Sequence, residues 1–257
     1  MAINFRQTEI LELIRRDGRV TVDDLSQRFE VTVQTIRRDL SDLSASGRLE
    51  RVHGGAVMPS GVSNILYEER RRLNDEGKRD IAGRCAQAIP DGSSIFMDIG
   101  TSTEAVALEL TQHENLLVVT NNLNVVSIMR TNPTCRIIVA GGEVRRTDSG
   151  IVGSFSADLL RNFKFDYAVL SCSALDADGE LLDFDPQETL VSQVAISRAK
   201  QVFVVADHMK FERKAPIRIC SLRDAAIFFT DMPLHPSLAA RCAQWGTKVN
   251  VVSSGDA

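Results

Sequence analysis

The sequence predicts an α+β multidomain protein, in which a small helical N-terminal domain precedes a larger α/β domain. Its 257 residues exceed what one small core needs. Apolar residues recur at helical spacing near the N-terminus, whereas from Lys78 onward apolar helices alternate with short β-rich runs. We therefore predict domains at residues 1–57 and 77–257, joined by a linker at residues 58–76.

The composition is that of a globular protein, with 44% hydrophobic and 25% charged residues. No apolar run approaches the roughly 20 residues that a bilayer span requires. The chain does not start with a basic and apolar leader, and its five cysteines show neither a CxxC pair nor zinc-ligand spacing. We therefore expect a cytoplasmic protein with reduced thiols, no metal site, no cofactor and no membrane partner.

The net charge of −4 excludes a broadly basic nucleic-acid surface. The charges are unevenly distributed, because residues 1–84 contain 15 Lys and Arg against 14 Asp and Glu, whereas the remainder is acidic. Any nucleic-acid site must therefore depend on the local placement of arginines.

The first two helices are predicted from apolar spacing and from capping residues. Ile10, Leu13 and Ile14 share one face of a first helix that ends at Gly18. Thr21 is a good N-cap for a short second helix, with Asp24 in the capping-box position.

A third helix follows after a turn of three residues. It begins at the N-cap Thr32, buries Val33, Ile36, Leu40 and Leu43, and ends at Gly47. Two helices joined in this way form a helix-turn-helix unit, whose second member enters the major groove of DNA. We therefore expect DNA contacts on the N-terminal face of the third helix, from Thr32, Gln34, Thr35, Arg37 and Arg38.

Residues 48–57, RLERVHGGAV, predict a two-stranded wing, because alternating residues precede a Gly-Gly pair. Arg51 and His53 would reach phosphate or the minor groove. An isolated arginine pair more often forms a solvated helix face, but here the pair lies on the third of three correctly spaced helices. The arginine run at 70–72 is interpreted as a solvated helix or linker.

The second domain is predicted to contain a mostly parallel sheet with helices between its strands. The predicted strands cover residues 94–99, 116–120, 136–140, 166–172, 201–206, 225–230 and 249–252. The predicted helices cover residues 103–110, 121–130, 157–163, 186–200 and 235–245.

The strand-to-helix junctions of such a sheet are where ligands bind. The junction at 98–103, DIGTST, offers one glycine and three hydroxyls at a helix N-terminus, which suits a phosphate or merely an ordinary capped turn. It matches neither a P-loop nor GxGxxG. The segments TNNLN at 120–124 and AGGEVRR at 140–146 would add amides, close backbone approach and an arginine, although turns use the same residues.

Two later segments add charged candidates. Asp183, Asp185 and Glu188 would accept hydrogen bonds from ligand hydroxyls or, alternatively, cap the helix that begins at Pro186. Lys210, just after a predicted strand, is a candidate phosphate partner. No nucleophile-and-base motif is present, so no catalytic residue is expected. The rival hypothesis is a sugar-phosphate isomerase with a regulatory head, using one of these carboxylates as base.

Residues 20–56, VTVDDLSQRFEVTVQTIRRDL followed by GRLERVHGGA, closely resemble the DNA-binding domain of the DeoR family of bacterial regulators. The similarity continues through DIGTSTEAVA, VVTNNLNVV, IIVAGGEVR and VADHMKF. It implies a winged helix-turn-helix joined to an effector and oligomerisation domain with a ribose-5-phosphate isomerase/CoA-transferase-like fold. It also implies a homo-oligomeric repressor, a dimer or tetramer, that binds operator DNA and responds to a phosphorylated polyol or sugar.

The segments LLDFDPQE, TNNLNV and DHMKF are most similar to family members that respond to glycerol 3-phosphate, which is therefore the first choice of effector. Two departures affect the pocket: SCSALD at 171–176 lacks the glycines of a G-x-S-G-x-D segment, and Glu212 replaces a glycine after Lys210 and Phe211. The effector contacts implied by the resemblance and by the junctions are Asp98, Gly100, Thr101, Ser102, Thr103, Thr120, Asn121, Asn122, Gly141, Gly142, Asp185, Glu188 and Lys210.

Overall fold

The computed structural model describes residues 4–17, 19–45, 48–52, 54–57, 67–211 and 213–252. The chain divides into two compact units, with the boundary between Asn74 and Asp75. Helices and one short sheet make up the first unit, and a parallel sheet lies at the centre of the second. The predicted α+β class is confirmed.

In its described residues, the first unit contains three helices, a three-stranded antiparallel sheet and a further short helix. The sheet has the order β1-β3-β2, so the predicted two-stranded wing is extended by a strand that precedes the second helix. The elements are α1 (Phe5–Asp17), β1 (Arg19–Thr21), α2 (Val22–Arg28), α3 (Val33–Ala45), β2 (Glu50–Val52), β3 (Gly55–Val57) and α4 (Tyr67–Arg72).

The predicted caps of α2 and α3 are confirmed. Thr21 Oγ1 accepts a hydrogen bond from the Asp24 amide at 3.1 Å and donates to the Asp24 carboxylate at 2.6 Å. Thr32 Oγ1 accepts from the Thr35 amide at 3.2 Å. These bonds satisfy amides that a helix leaves unpaired at its N-terminus. Gly18 and Gly47, expected to end α1 and α3, lie outside the described residues.

A single apolar cluster joins these helices to the wing. Ile10 and Ile14 of α1 and Ile36 and Leu40 of α3 are fully buried in it, together with Ala56 of β3. Burial of this kind, at roughly 25 cal/mol per Å² of apolar surface, is the main source of stability for helices this short.

The region predicted as a linker is partly helical. Residues 67–72 form α4, and the first helix of the second unit begins at Asp75. The sequence YEERRR of α4 has no apolar period, so the pattern that predicts a helix is missing here. Its residues nevertheless include good helix formers. Residues 58–66 lie outside the described residues.

The second unit contains a seven-stranded parallel sheet of order β15-β14-β12-β9-β4-β5-β6. All seven predicted strands are found in it. Its strands are β4 (Ser94–Met97), β5 (Leu117–Thr120), β6 (Arg136–Val139), β9 (Phe165–Leu170), β12 (Ala199–Val205), β14 (Ile227–Thr230) and β15 (Lys248–Val251). The helices are α5 (Asp75–Gln87), α6 (Thr101–Leu110), α7 (Leu123–Met129), α8 (Ser154–Leu160), α9 (Pro186–Arg198) and α10 (Pro236–Trp245).

Helices cover both faces of this sheet, which explains why its strands are continuous apolar runs. On β4, Ile95 and Met97 face the cluster that contains α5, α6 and α7, whereas Phe96 faces the cluster of α8, α9 and α10. Val202 and Phe203 of β12 divide between the same two clusters. Alternate residues of each strand therefore point to opposite helical layers.

Short antiparallel strands were not predicted. A hairpin of β7 (Glu143–Arg145) and β8 (Gly150–Val152) follows β6. A second sheet has the order β10-β11-β13 and consists of β10 (Ala174–Leu175), β11 (Glu180–Asp183) and β13 (Ile217–Ser221). No helix in the described part of the chain is long and apolar enough to cross a membrane.

Candidate functional sites

The second helix of the helix-turn-helix presents the predicted polar face. Gln34, Arg37 and Arg38 are exposed on α3, on the side opposite the buried Ile36 and Leu40. Guanidinium and amide groups on the first turns of such a helix read base edges in the major groove. The hydroxyls of Thr32 and Thr35 lie 3.0 Å apart, so these two predicted contacts also form the start of the helix.

A buried carboxylate holds this helix against α1. Asp39, on α3, is 4% exposed. It accepts a hydrogen bond from Arg6 Nε at 2.6 Å and another from Gln7 Nε2 at 3.2 Å. Charge-assisted bonds of this kind are about twice as strong as neutral ones. Asp39 therefore fixes the orientation of α3, a role that the sequence analysis did not assign.

The wing is linked to α3 by one predicted DNA contact. Arg51, on β2, donates to Ser41 Oγ at 2.9 Å, and that hydroxyl donates to the Arg37 carbonyl oxygen at 2.8 Å. The guanidinium of Arg51 therefore lies beside α3 and next to the Arg37 backbone. The other predicted wing contact, His53, lies outside the described residues.

The second candidate site lies where the order of the parallel sheet reverses. The chain runs from β4 outward through β5 and β6, then returns to β9 on the other side of β4 and continues through β12. In open α/β sheets, ligands bind in the crevice at such a reversal, beyond the carboxyl ends of the strands. Residues 98–103 follow β4 and residues 171–173 follow β9, and a Cβ added to Gly100 would lie 3.6 Å from Ser171 Cβ.

The N-terminus of α6 lies at this reversal and has no side-chain cap. Its N-cap is Gly100, with φ 143°, and no side-chain hydrogen bond caps the helix. The Thr103 hydroxyl donates to the carbonyls of Asp98 and Gly100, so it supports the loop itself. Thr101 and Ser102 form the first turn, and Ser102 is buried. The amides of an uncapped first turn favour an anion.

Asp98 is buried at the base of the crevice and bonds to α9. Its Oδ2 accepts from Ser192 Oγ at 2.6 Å, and its Oδ1 accepts from the Ile99 amide at 2.8 Å. Burial raises the pKa of Asp98 to about 6, against the lowering effect of these hydrogen bonds, and the charge of Asp183 acts in the same direction as burial. Asp98 is therefore poised to gain or lose a proton near neutral pH.

Of the three predicted contacts at the end of β5, Thr120 and Asn122 stabilise the fold, whereas Asn121 has a side-chain oxygen without a hydrogen-bond partner among the described residues. Thr120 Oγ1 donates to the Met97 carbonyl, and Asn122 Oδ1 caps α7 by accepting from the Asn124 amide. Asn121 is fully buried, and its Nδ2 donates to the Ile151 carbonyl at 3.3 Å. Its Oδ1 has no hydrogen-bond partner among the described residues. A buried orphan acceptor suits a ligand hydroxyl.

The predicted glycines after β6, Gly141 and Gly142, make contacts within the protein itself. A Cβ at Gly142, which has φ 154°, would come within 2.8 Å of the Val152 carbonyl oxygen and of Ser156 Oγ. Gly141 has open space, and its carbonyl accepts from Ser156 Oγ at 2.7 Å. The close approach that requires glycine at 142 is therefore to the protein's own α8 and β8.

Lys210 lies buried near the reversal of the sheet, in a short 3₁₀ helix (His208–Lys210) that Asp207 caps. Its charge acts on the Cys172 thiol, whose pKa burial raises to about 12. Lys210 follows β12 and residues 171–173 follow β9, and these two strands are parallel neighbours in the sheet. Ser173 in turn donates to Asp183 Oδ2 at 3.0 Å, which brings a carboxylate to the same place.

Asp185 and Glu188 are paired with an arginine. Arg145 donates from Nη1 to Asp185 Oδ2 and from Nη2 to Glu188 Oε2, both at 2.6 Å. Asp185 also accepts from the Gln187 amide and caps α9, which confirms the alternative role considered for it. These carboxylates therefore join the start of α9 to the β7–β8 hairpin through Arg145.

The sequence analysis missed Arg145, Ser192 and Asp39. Arg145 was noted only as an arginine in a turn segment, and the β7 strand that aims it at α9 was not predicted. Ser192 and Asp39 each lie in a predicted helix, but their partners are distant in sequence. No group of metal-ligating side chains was found in the described parts of the chain.

Comparisons with known proteins cover almost the whole chain. A family model described as DeoR-like helix-turn-helix domain matches residues 6–62, and one described as DeoR C terminal sensor domain matches residues 73–232. The chain is 41% identical over 228 residues to the glycerol-3-phosphate regulon repressor of Escherichia coli (strain K12), which covers 89% of this chain and 90% of that protein.

Two further similarities were found. The HTH-type transcriptional repressor CsqR of Escherichia coli (strain K12) is 39% identical over 228 residues, covering 89% of this chain and 87% of that protein. A crystal structure of ribose 5 phosphate isomerase A from Neisseria gonorrhoeae superposes with a TM-score of 0.41 at 11% identity, covering 55% of each chain.

Proposed function

This chain belongs to the DeoR family of transcriptional regulators, and on that basis we propose that it is a repressor that a phosphorylated polyol or sugar releases from operator DNA. Glycerol 3-phosphate is the first choice of effector. The similarity to a glycerol-3-phosphate regulon repressor supports this choice. The proposal includes a homo-oligomer, no enzymatic activity and a cytoplasmic location, where chromosomal DNA is accessible.

The DNA-binding part of the proposal rests on the exposed face of α3. Gln34, Arg37 and Arg38 stand on a helix that Asp39 holds in place, and Arg51 lies beside it. Because the whole chain is acidic, affinity for the phosphate backbone depends on these few arginines. We therefore assign Gln34 and Arg37 to base contacts, and Arg38 and Arg51 to phosphate contacts.

The effector part rests on one observation above the others. The uncapped start of α6, the buried Lys210 and the orphan acceptor of Asn121 follow the carboxyl ends of β4, β12 and β5, which supports a shared site near the reversal of the strand order. A helix N-terminus and an ammonium group suit a phosphate, whereas amide and carboxylate oxygens suit hydroxyls. A small phosphorylated polyol carries both kinds of group.

Release from DNA requires the effector to bind the DNA-free form more tightly than the DNA-bound form. A change from 1:99 to 99:1 in the population of the two forms needs about 5.5 kcal/mol of differential binding. Several charge-assisted hydrogen bonds to one phosphate supply energy of this order.

The experiment measures operator binding with and without effector. A duplex is first selected by the full chain from a random pool, and its affinity is then measured with glycerol 3-phosphate, fructose 1-phosphate, ribose 5-phosphate or glycerol present. We expect glycerol 3-phosphate to weaken DNA binding and glycerol to have no effect. Weakening by another sugar phosphate would retain the repressor and change its effector, whereas no selected duplex at all would reject DNA binding.

Lys210→Met tests the site within the same assay. We expect this variant to bind the duplex like the wild type and to need at least about tenfold more glycerol 3-phosphate for release. Lys200→Met is the matched control, because Lys200 is exposed and pairs with Asp166 at the other end of the sheet.

Turnover of ribose 5-phosphate or a triose phosphate by the full chain would instead support the isomerase hypothesis.

A further inference from the structure

Arg145 carries more carboxylate partners than one positive charge can neutralise. Its Nε and Nη2 bond both oxygens of Asp148, at 2.9 and 2.8 Å, within the β7–β8 hairpin. Its Nη1 and Nη2 reach across to Asp185 and Glu188 of α9. One guanidinium therefore faces three carboxylates while its own side chain is only 25% exposed.

The two sets of bonds have different consequences for the hairpin. Asp148 is three residues from Arg145 and belongs to the same turn, so this bidentate pair orients the guanidinium whether or not α9 is near. The bonds to Asp185 and Glu188 join the hairpin to the start of α9. Only these two bonds are available for exchange without disturbing the hairpin.

Glu188 lies one turn of α9 before Ser192, which bonds the loop after β4. The charges of Asp183 and Asp98 both act on Glu188, and Ser192, one turn further along α9, donates to Asp98. Ser192 Oγ also lies 3.2 Å from the Glu188 carbonyl oxygen, so the first turns of α9 connect the partner of Arg145 to the carboxylate of Asp98. Burial raises the pKa of Glu188 well above its usual value and Asp183 adds to this, whereas Arg145 opposes it. The paired guanidinium of Arg145 is the nearest positive charge that favours the carboxylate form of Glu188.

We propose that Arg145 is an anion-binding residue of the effector site, and that Asp185 and Glu188 are internal anions that occupy its guanidinium until the effector replaces them. A phosphate offers the same arrangement of oxygen acceptors as the two carboxylates, and a guanidinium binds either one through paired N–H groups. The exchange frees the hairpin from α9. This inference rests on the proposed function, because it takes the crevice as the effector site.

The proposal makes an unusual prediction about neighbouring acids. If Asp185 and Glu188 compete with the effector, then removing either charge must tighten effector binding. If they instead accept effector hydroxyls, as the sequence analysis expected, then removing either must weaken it. The opposite signs of these two effects separate the two roles.

The test measures the affinity of the full chain for glycerol 3-phosphate by calorimetry. Glu188→Gln preserves the shape of the side chain, and Asp185→Asn preserves a good N-cap for α9. We expect both variants to bind about threefold to tenfold more tightly, and Arg145→Gln to bind at least about tenfold more weakly. Asp178→Asn, which removes the carboxylate of the exposed Arg241 pair in the same unit, is expected to change nothing.

The gain of affinity protects the test against misfolding, since an unfolded variant does not bind more tightly. Weaker binding by Glu188→Gln and Asp185→Asn would overturn the proposal in favour of hydroxyl contacts. Unchanged affinity in all three variants, with altered thermal stability, would overturn it in favour of a purely structural clasp between the hairpin and α9.

A second measurement separates failure of this inference from failure of the proposed effector. Inorganic phosphate is titrated against the thermal unfolding of the wild type, Glu188→Gln and Arg145→Gln. One outcome is that glycerol 3-phosphate does not bind, whereas phosphate stabilises Glu188→Gln more than the wild type and Arg145→Gln least. The proposed effector is then rejected, and the anion-binding role of Arg145 is retained. If glycerol 3-phosphate binds and Arg145→Gln binds it equally well, then Arg145 is rejected and the proposed function stands.

Discussion

Ser192 Oγ donates a hydrogen bond of 2.6 Å to Asp98 Oδ2 and so joins the middle of α9 to the loop after β4. The two residues are 94 positions apart in the sequence. Asp98 is 2% exposed, so its carboxylate has lost its contact with water. Its hydrogen bonds are instead to this hydroxyl, to the Ile99 backbone amide and to the Asn121 side-chain amide. These bonds offset only part of the cost of burying the charge, because burial still raises the pKa of Asp98.

Asp98 should make the second unit less stable as the pH rises. Its pKa of about 6 in the folded chain lies above the ordinary value of 3.8, so the folded form binds the proton more tightly. Stability from this group is therefore present below about pH 4, falls as the pH rises to about 6, and is constant above. The total is about 3 kcal/mol.

Asp98→Asn, which does not titrate, is the variant that measures this effect. We expect its stability relative to the wild type to increase by about 2–3 kcal/mol between pH 4 and pH 7 in denaturant titrations. Ser192→Ala should move the wild-type transition to higher pH, because a bond that favours the carboxylate is lost. Ser197→Ala serves as control, since the Ser197 hydroxyl donates to the Val194 carbonyl of the same helix. Parallel pH profiles for the wild type and Asp98→Asn would contradict the assignment.

Asp39→Asn should weaken DNA binding through the position of α3. Loss of the charge leaves Arg6 and Gln7 with a weaker acceptor at a buried position. We expect a loss of about 1–3 kcal/mol in affinity for the selected duplex, measured by fluorescence anisotropy. Asp42→Asn, on the exposed side of the same helix, should not lose affinity. If both variants behave alike, then the effect is one of net charge and not of position.

Arg37→Ala should identify the kind of contact that this residue makes. If Arg37 reads a guanine, then affinity falls by about 1–3 kcal/mol and the preference at one base pair is relaxed. The measurement is repeated selection from the random pool together with the salt dependence of binding. A uniform loss across sequences, with the slope against salt reduced by about one, would make Arg37 a phosphate contact. Arg79→Ala, on the exposed surface of α5, is the control.

Gly142→Ala should destabilise the second unit, whereas Gly141→Ala should not. The first variant needs a positive φ and brings its Cβ within 2.8 Å of a backbone oxygen, whereas the second has open space. We expect a cost of about 1–3 kcal/mol at 142 and within about 0.5 kcal/mol at 141, measured by thermal unfolding. Equal stability of the two variants would show that the β7–β8 hairpin rearranges at little cost.

Local patterns in the sequence were sufficient for the main framework. The seven strands of the parallel sheet were predicted because strands buried on both faces are continuous apolar runs, as in Val202 to Val205. The caps Thr21 and Thr32 were predicted because a cap and its amide partner lie within three residues.

The short antiparallel strands of the second unit escaped prediction for the converse reason. β11 has four residues and pairs with β13, which begins more than 30 positions later. Strands of this length carry little periodic signal of their own. The β7–β8 hairpin was missed as well, and with it the direction of Arg145.

The sequence by itself determined the order of elements, the helix-turn-helix with its exposed arginines, and the loops that follow the parallel strands. Spacing along the chain fixes these features, since backbone geometry sets the period of helices and strands. Only the tertiary structure decided that Asp98 bonds Ser192, that Asp39 holds Arg6, and that Arg145 is shared among three carboxylates. Those pairs are distant in sequence or depend on a strand without a local signal, and packing of the whole chain brings them together.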